Sequence, residues 1–258
     1  MSYKTILYTV TDNIATITLN RPDVMNSLNS EMRSEIRSAI EHAQNEARVL
    51  VFTGAGRGFC SGQDLADQRD LAEVNLEKIL RDEYEPMLNA IYNCPIPTIS
   101  AVNGAAVGAG ANLALAADVV IATQSAYFIQ AFSRIGLIPD AGGTYWLPRQ
   151  IGFSKAMGAA LFADKITAQQ ASDWGMIWEY VADEGFDACV QARATHLANG
   201  PTKSYELTKR ALRCSLDNTL GEQLELEAVL QGEAGQTHDF LEGVAAFMGK
   251  RSPKYTGE

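Results

Sequence analysis

The stretch IGLIPDAGGT (135–144) carries a single carboxylate, Asp140, at the end of an apolar run. An acid among Phe132, Ile135, Leu137 and Ile138 is suited to carrying a proton, because desolvation lifts a carboxyl pKa toward neutrality. The same acid precedes A-G-G and a helical stretch, where it would serve as an N-cap. A cap is worth about 1 kcal/mol and leaves chemistry untouched. The two readings differ in function, and the residues alone leave both open.

Two glycine-rich loops each follow a strand-like run. They are GAGRGFCSGQDL (54–65) and GAAVGAGANLALAAD (104–118). Glycines there allow tight turns, or they bare two backbone N–H groups to one ligand oxygen as an oxyanion hole. Each such donor is worth about 3–4 kcal/mol in a transition state. The G-x-G-x-G of the first loop lacks the third glycine of a dinucleotide fingerprint, and no ribose-binding acid follows. Neither G-x-S-x-G nor G-x-x-x-x-G-K-[ST] occurs, which argues against a serine hydrolase or a P-loop enzyme.

Other chemistry has little support. Cys60, Cys94, Cys189 and Cys214 are far apart, and His42, His196 and His238 lie in separate segments, so reduced thiols and no metal site are expected. The formal net charge of −10 disfavours nucleic acid. The helix at 30–48 sets Arg33, Arg37 and Arg48 against Glu31, Glu35, Glu41 and Glu46, which is no basic face. No membrane-length apolar run and no signal-type N-terminus is present, so a cytoplasmic protein is expected.

The elements that must carry these loops alternate. IATITLN reads as a strand, and Leu28, Met32, Ile36 and Ile40 mark an amphipathic helix. RVLVFTG is a buried strand, 67–93 is helical, TISAVNG is a strand and GAGANLALAAD is a small-residue helix. VVIAT and AYFIQ are further strands. That order predicts an α/β architecture with crossover connections. From Pro201 the pattern is helix only, with stripes at Leu220, Leu224 and Ala228 and at Phe240, Leu241, Val244, Phe247 and Met248. No Lys or Arg falls between Arg213 and Lys250. Such a tail packs either on a neighbouring subunit or back on its own core.

In order, NRPDVMNSLNSEM, FTGAGRGFCSGQDL, SAVNGAAVGAGANLALAAD and IGLIPDAGGT resemble the crotonase superfamily of enoyl-CoA hydratases and isomerases. The likeness continues through AQQASDWGMIWEYV and FLEGVAAFMGKRSPKYTG, and so spans the chain. It implies a spiral of ββα turns at 1–200, followed by a helical trimerisation region at 201–258 and assembly as a homotrimer or dimer of trimers. It implies a coenzyme A thioester as substrate, with coenzyme A entering only as part of it and no cofactor bound for catalysis. The oxyanion donors implied are the N–H groups of Gln63 and Ala109. Val24, Met25, Ser61, Asp64, Leu65 and Gly110 match positions along the coenzyme A arm. Phe247 and Lys250 match tail positions that reach the nucleotide end of a neighbouring subunit's ligand; Lys250 reads equally as a solvated end charge.

Where hydratases carry two glutamates, this chain has Asn112 and Phe132, neither of which can act as a base. Asp140 stands where hydratases usually have glycine, and an acid there occurs in isomerases of the superfamily. AFSRIGLIPDAGGT and ASDWGMIWE are most similar to the ring-epoxyphenylacetyl-CoA isomerase branch. The resemblance therefore implies an isomerase in which Asp140 moves a proton or double bond, with epoxide-to-oxepin conversion within reach. Asn112 would either hold the acid or acyl group, or pack a helix. Tyr145 and Trp146 would either wall an aromatic acyl pocket or belong to the core. A hydratase is the main alternative, ahead of a non-catalytic acyl-CoA-binding scaffold or an RNA-binding homologue.

Overall fold

The computed structural model describes residues 3–67 and 74–258. The part of the expected 67–93 helix at 68–73 lies outside the described residues.

Strand β1 (Ile6–Thr11) pairs antiparallel with β2 (Ile14–Leu19) across a turn in which Asp12 and Asn13 take positive φ. Asn and Asp tolerate that conformation best among non-glycine residues. Helix α1 (Ser30–Glu46) follows, capped by the Asn29 side chain, which accepts from the Met32 N–H at 2.9 Å. Met32, Ile36, Ala39, Ile40 and Ala43 are buried on one face, as the four-residue spacing predicts.

The chain then winds in turns that each lay one strand in each of two sheets. β3 (Val49–Gly54) leads to β4 (Gly58–Cys60), and then to helices α2 (Leu76–Ile79) and α3 (Glu85–Tyr92), joined by a π-helical turn at Leu80–Tyr84. β5 (Thr98–Val102) leads to β6 (Ala105–Val107) and helix α4 (Ala109–Leu115). β7 (Val119–Thr123) leads to β8 (Tyr127–Ile129), a 3₁₀ turn at Ala131–Ile135 and helix α5 (Gly143–Phe162). β9 (Ile166–Thr167), α6 (Ala168–Asp173) and β10 (Glu179–Val181) close the core. One sheet runs β1-β2-β3-β5-β7-β10 and the other β4-β6-β8-β9. Within them β2, β3, β5, β7 and β10 are parallel, as are β4, β6 and β8. This is the spiral of ββα turns.

All of β5 and most of β3 are buried, as parallel strands covered on both faces require. The glycine-rich stretch at 54–65, read from sequence as loop, contains β4. Three residues are too few to show a period, and β4 exists only because it pairs with the distant β6. Strands β1 and β10 were likewise not singled out by the sequence pattern. The helix-only reading after Pro201 fits the C-terminal region, which follows α7 (Phe186–Ala198). It comprises α8 (Thr202–Cys214), α9 (Leu220–Ala234) and α10 (His238–Met248). Both apolar stripes of this tail are exposed in the single chain. Leu220 is 76% and Phe247 83% exposed, so they do not fold back on their own core.

Candidate active site

Two loops meet at the start of α4. The loop after β4 touches α1's approach through one parallel bridge, in which Leu28 N–H donates to Gly62 O at 2.8 Å and Asp64 N–H to Leu28 O at 3.1 Å. In that pattern the intervening Gln63 turns its own N–H away from Leu28. Gly62 has φ +96°, and a Cβ on it would lie 2.8 Å from Val107 O and 3.3 Å from Ala109 N. Glycine is therefore required twice over, for its dihedral and for the approach of the two loops. Ala109 is the first residue of α4, after Gly108 at φ +54°, and its N–H belongs to the helix end that has no intrahelical acceptor.

Gln63, Ala109 and Asp140 line one cavity of about 150 Å³. Phe132, Ile135, Leu137, Leu80 and Val107 make much of its wall apolar. Asp140 also borders a larger groove of about 820 Å³, walled by Leu88, Tyr92, Tyr145 and Trp146. The three rings pack edge to face or tilted at centroid distances of 4.8–6.4 Å. Tyr145 and Trp146 thus border the groove as well as packing on each other.

Asp140 does not cap α5. The cap position is Gly142 at φ +82°, with no side-chain cap bond. Asp140 Oδ1 is buried with no hydrogen-bond partner. Burial pushes the carboxyl up to about 6, against a small opposing pull from its own N–H. The acid is thus poised to exchange a proton near neutral pH.

What holds it is its backbone. Asn112 Nδ2 donates to the Asp140 carbonyl at 2.7 Å, and Gly143 N–H donates to the same oxygen at 2.8 Å. Gln130 Nε2 in turn donates to Asn112 Oδ1 at 2.9 Å, and Asn112 and Gln130 are both buried. Asn112 presses on Gly143, which has no room for a Cβ. Asn112 therefore packs the helix and fixes the turn carrying Asp140, but it does not bond the carboxylate.

The expected coenzyme A positions divide. Val24, Met25 and Ser61 come together: Ser61 N–H donates to Met25 O at 2.9 Å and Ser61 Oγ to Val24 O at 3.1 Å. Leu65 is half exposed at the rim of the small cavity. The Asp64 carboxylate is committed elsewhere, 2.7 Å from Arg21 Nη1 and accepting from Ala66 N–H. Burial pushes it up, but Arg21 and that N–H outweigh the effect and hold it below the ordinary value. Gly110 is buried against the Cys60 carbonyl and lines neither cavity. Phe247 and Lys250 stand exposed at the end of α10 and line neither cavity in the single chain.

Arg33, Tyr84 and Gln130 carry structure that the sequence reading missed. Arg33 is 1% exposed, paired with Glu83 at 2.6 Å, and donates to Leu28 O and Gln63 Oε1. Its place on the buried side of α1, three residues before Ile36, was the available signal. Arg48, placed by the sequence reading at the end of the same helix, lies beyond α1, where Nε donates to Thr202 Oγ1 and Nη1 to Tyr255 O.

The model of the enoyl-CoA hydratase/isomerase family matches residues 9–258. The chain belongs to the enoyl-CoA hydratase/isomerase family. A Rhodobacter capsulatus protein named "Probable enoyl-CoA hydratase" is 60% identical over 258 residues, covering 100% of both chains. The 1,2-epoxyphenylacetyl-CoA isomerase of Escherichia coli is 45% identical over 263 residues, covering 98% of each. A crystal structure from Mycobacterium abscessus, assigned to the same family, superposes with a TM-score of 0.92 at 37% identity, covering 98% of this chain and 100% of that one.

As a member of this crotonase-fold family the chain is an enzyme, and the family acts on CoA thioesters without a metal cofactor. Among the described residues no group of three or more His, Cys, Asp or Glu side chains could hold a metal, and no helix is long and apolar enough to cross a membrane.

Proposed function

We propose that this family member is an acyl-CoA isomerase with one acid. The thioester oxygen lies against the N–H groups of Gln63 and Ala109, which stabilise the enolate formed when a neighbouring carbon loses its proton. Asp140 takes that proton and returns it at a second carbon, moving the double bond. The observation that carries the reading is the desolvated Asp140 carboxyl, its buried Oδ1 without a hydrogen-bond partner, on a residue lining the same cavity as Gln63 and Ala109. Asn112 acts as a positioning residue through the Asp140 carbonyl. The 45% identity to the Escherichia coli isomerase supports isomerisation, and extends it to a ring-epoxide substrate opened to an oxepin.

Val24, Met25, Ser61 and Leu65 border the coenzyme A arm, with Asp64 shaping that loop through Arg21. Gly110 serves by letting α4 sit close on β4. The exposed stripes of α9 and α10 support assembly as a homotrimer or dimer of trimers, in which Phe247 and Lys250 reach a neighbour's nucleotide. The location assigned by this reading is the cytoplasm.

The second reading is hydration, favoured by the name of the 60% identical relative. Against it, Asn112 and Phe132 hold the positions at which the resemblance expects glutamates. Incubating the protein with a β,γ-unsaturated acyl-CoA and following both conjugated isomer and water adduct separates the two. Isomer without adduct is expected; adduct as the main product rejects the isomerase reading.

A further inference from the structure

The Gln63 side chain does something its backbone role does not require. Its Oε1 accepts from Arg33 Nη1 at 2.9 Å and from Tyr84 OH at 2.6 Å. Arg33 can only donate, so the amide oxygen must face it. That fixes Nε2 on the other side of the amide, where it is buried with no hydrogen-bond partner. Arg33 is itself locked by Glu83 and Leu28 O, so the amide has no cheap alternative orientation.

Among the described residues, two buried side-chain polar atoms without partners belong to residues lining the 150 Å³ cavity: Gln63 Nε2 and Asp140 Oδ1. They do not bond to each other. Asp140 is accounted for by the proton shuttle. Gln63 Nε2 is not, and an unpaired buried donor is costly. A hydrocarbon chain would leave it unpaired, whereas an oxygen on the substrate would satisfy it.

We propose that the Gln63 carboxamide is a specificity determinant, donating from Nε2 to an oxygen acceptor that the acyl group carries a few carbons beyond the thioester carbonyl. The oxygen must lie that close because one residue supplies both donors, its N–H to the thioester oxygen and its Nε2 to the acyl oxygen. The inference rests on the reading of the Gln63 N–H as a thioester contact. It selects ether, epoxide or carbonyl-bearing acyl groups over plain hydrocarbon chains of the same shape.

The test compares isosteric pairs that differ by one acceptor: 5-methoxy-3-pentenoyl-CoA against 3-heptenoyl-CoA, and 6-methoxy-3-hexenoyl-CoA against 3-octenoyl-CoA. The readout is the ratio of kcat/KM within each pair, for wild type, Gln63→Met and Gln63→Glu. Wild type is expected to favour the ether in at least one pair by about tenfold or more. Gln63→Met keeps the backbone N–H but loses the donor, and brings that ratio to near one. Gln63→Glu keeps an acceptor for Arg33 and Tyr84 but faces the ether with a second oxygen, and brings the ratio below one.

A wild-type ratio near one in both pairs overturns the proposal, even if neither variant folds. So does a high ratio that Gln63→Met leaves in place. Turnover of the hydrocarbon thioesters in those cases leaves the isomerase reading standing. Failure of wild type to convert any of the four thioesters overturns the isomerase reading and this inference together.

Discussion

Replacing Asp140 with Asn is expected to make the protein more stable and far less active. The carboxyl is pushed up to about 6 by burial, from an ordinary value of 3.8. Below about pH 4 the group is protonated whether the chain is folded or not, and costs nothing. Between pH 4 and 6 the unfolded chain releases its proton first, so folding stability falls as pH rises. Above pH 6 the loss is complete. Two pH units correspond to about 3 kcal/mol, and partial exposure reduces this to about 2 kcal/mol.

A neutral asparagine of the same shape escapes that cost. Asp140→Asn is therefore expected to raise Tm at pH 8 by roughly 4–8 °C and to leave it unchanged at pH 3.5. Activity moves the other way. Loss of the proton carrier is worth about 10²–10⁴ in rate. In wild type, kcat/KM is expected to rise with pH through about 6 and level off above, because the shuttle begins with the ionised form. Thermal melts at the two pH values, with isomer formation from a β,γ-unsaturated acyl-CoA, measure both effects. A variant that melts earlier at pH 8 and keeps its turnover would refute the reasoning.

Three further outcomes are expected. Gly62→Ala forces a Cβ to within 2.8 Å of Val107 O at a φ of +96°, and is expected to cost about 1–3 kcal/mol in denaturant titration and to lower kcat by 10-fold or more as the two amides separate. Asn112→Leu removes the 2.7 Å bond to the Asp140 carbonyl; kcat is expected to fall with little change in KM, and a kcat unchanged within twofold would remove Asn112 from the site. Leu220→Lys with Phe247→Ser charges and trims the exposed tail stripes, and light scattering is expected to report a smaller assembly than for wild type.

The division between what was legible and what was not follows the range of the interactions. Helix α1 was legible because Met32, Ile36 and Ile40 repeat at helical spacing, β2 because apolar and polar residues alternate, and β3, β5 and β7 because they are short runs rich in β-branched residues bounded by turn residues. Strand β4 was not, since three residues become a strand only against β6. Asp140 stood out by its apolar neighbours, but those neighbours fit a cap as well as a proton carrier.

The sequence by itself determined the family, the alternation of strands and helices, the helical tail and the short set of residues from which a site could be built, because these depend on local spacing and on an ordered series of motifs. The tertiary structure decided the rest. Gly142 and not Asp140 occupies the cap, Asn112 grips the Asp140 backbone and not its carboxylate, and Arg33 turns inward to orient the Gln63 amide. The first is set by the local backbone at Gly142, while the other two depend on side chains brought together across long sequence separations, and on whether a polar atom finds a partner once water is gone.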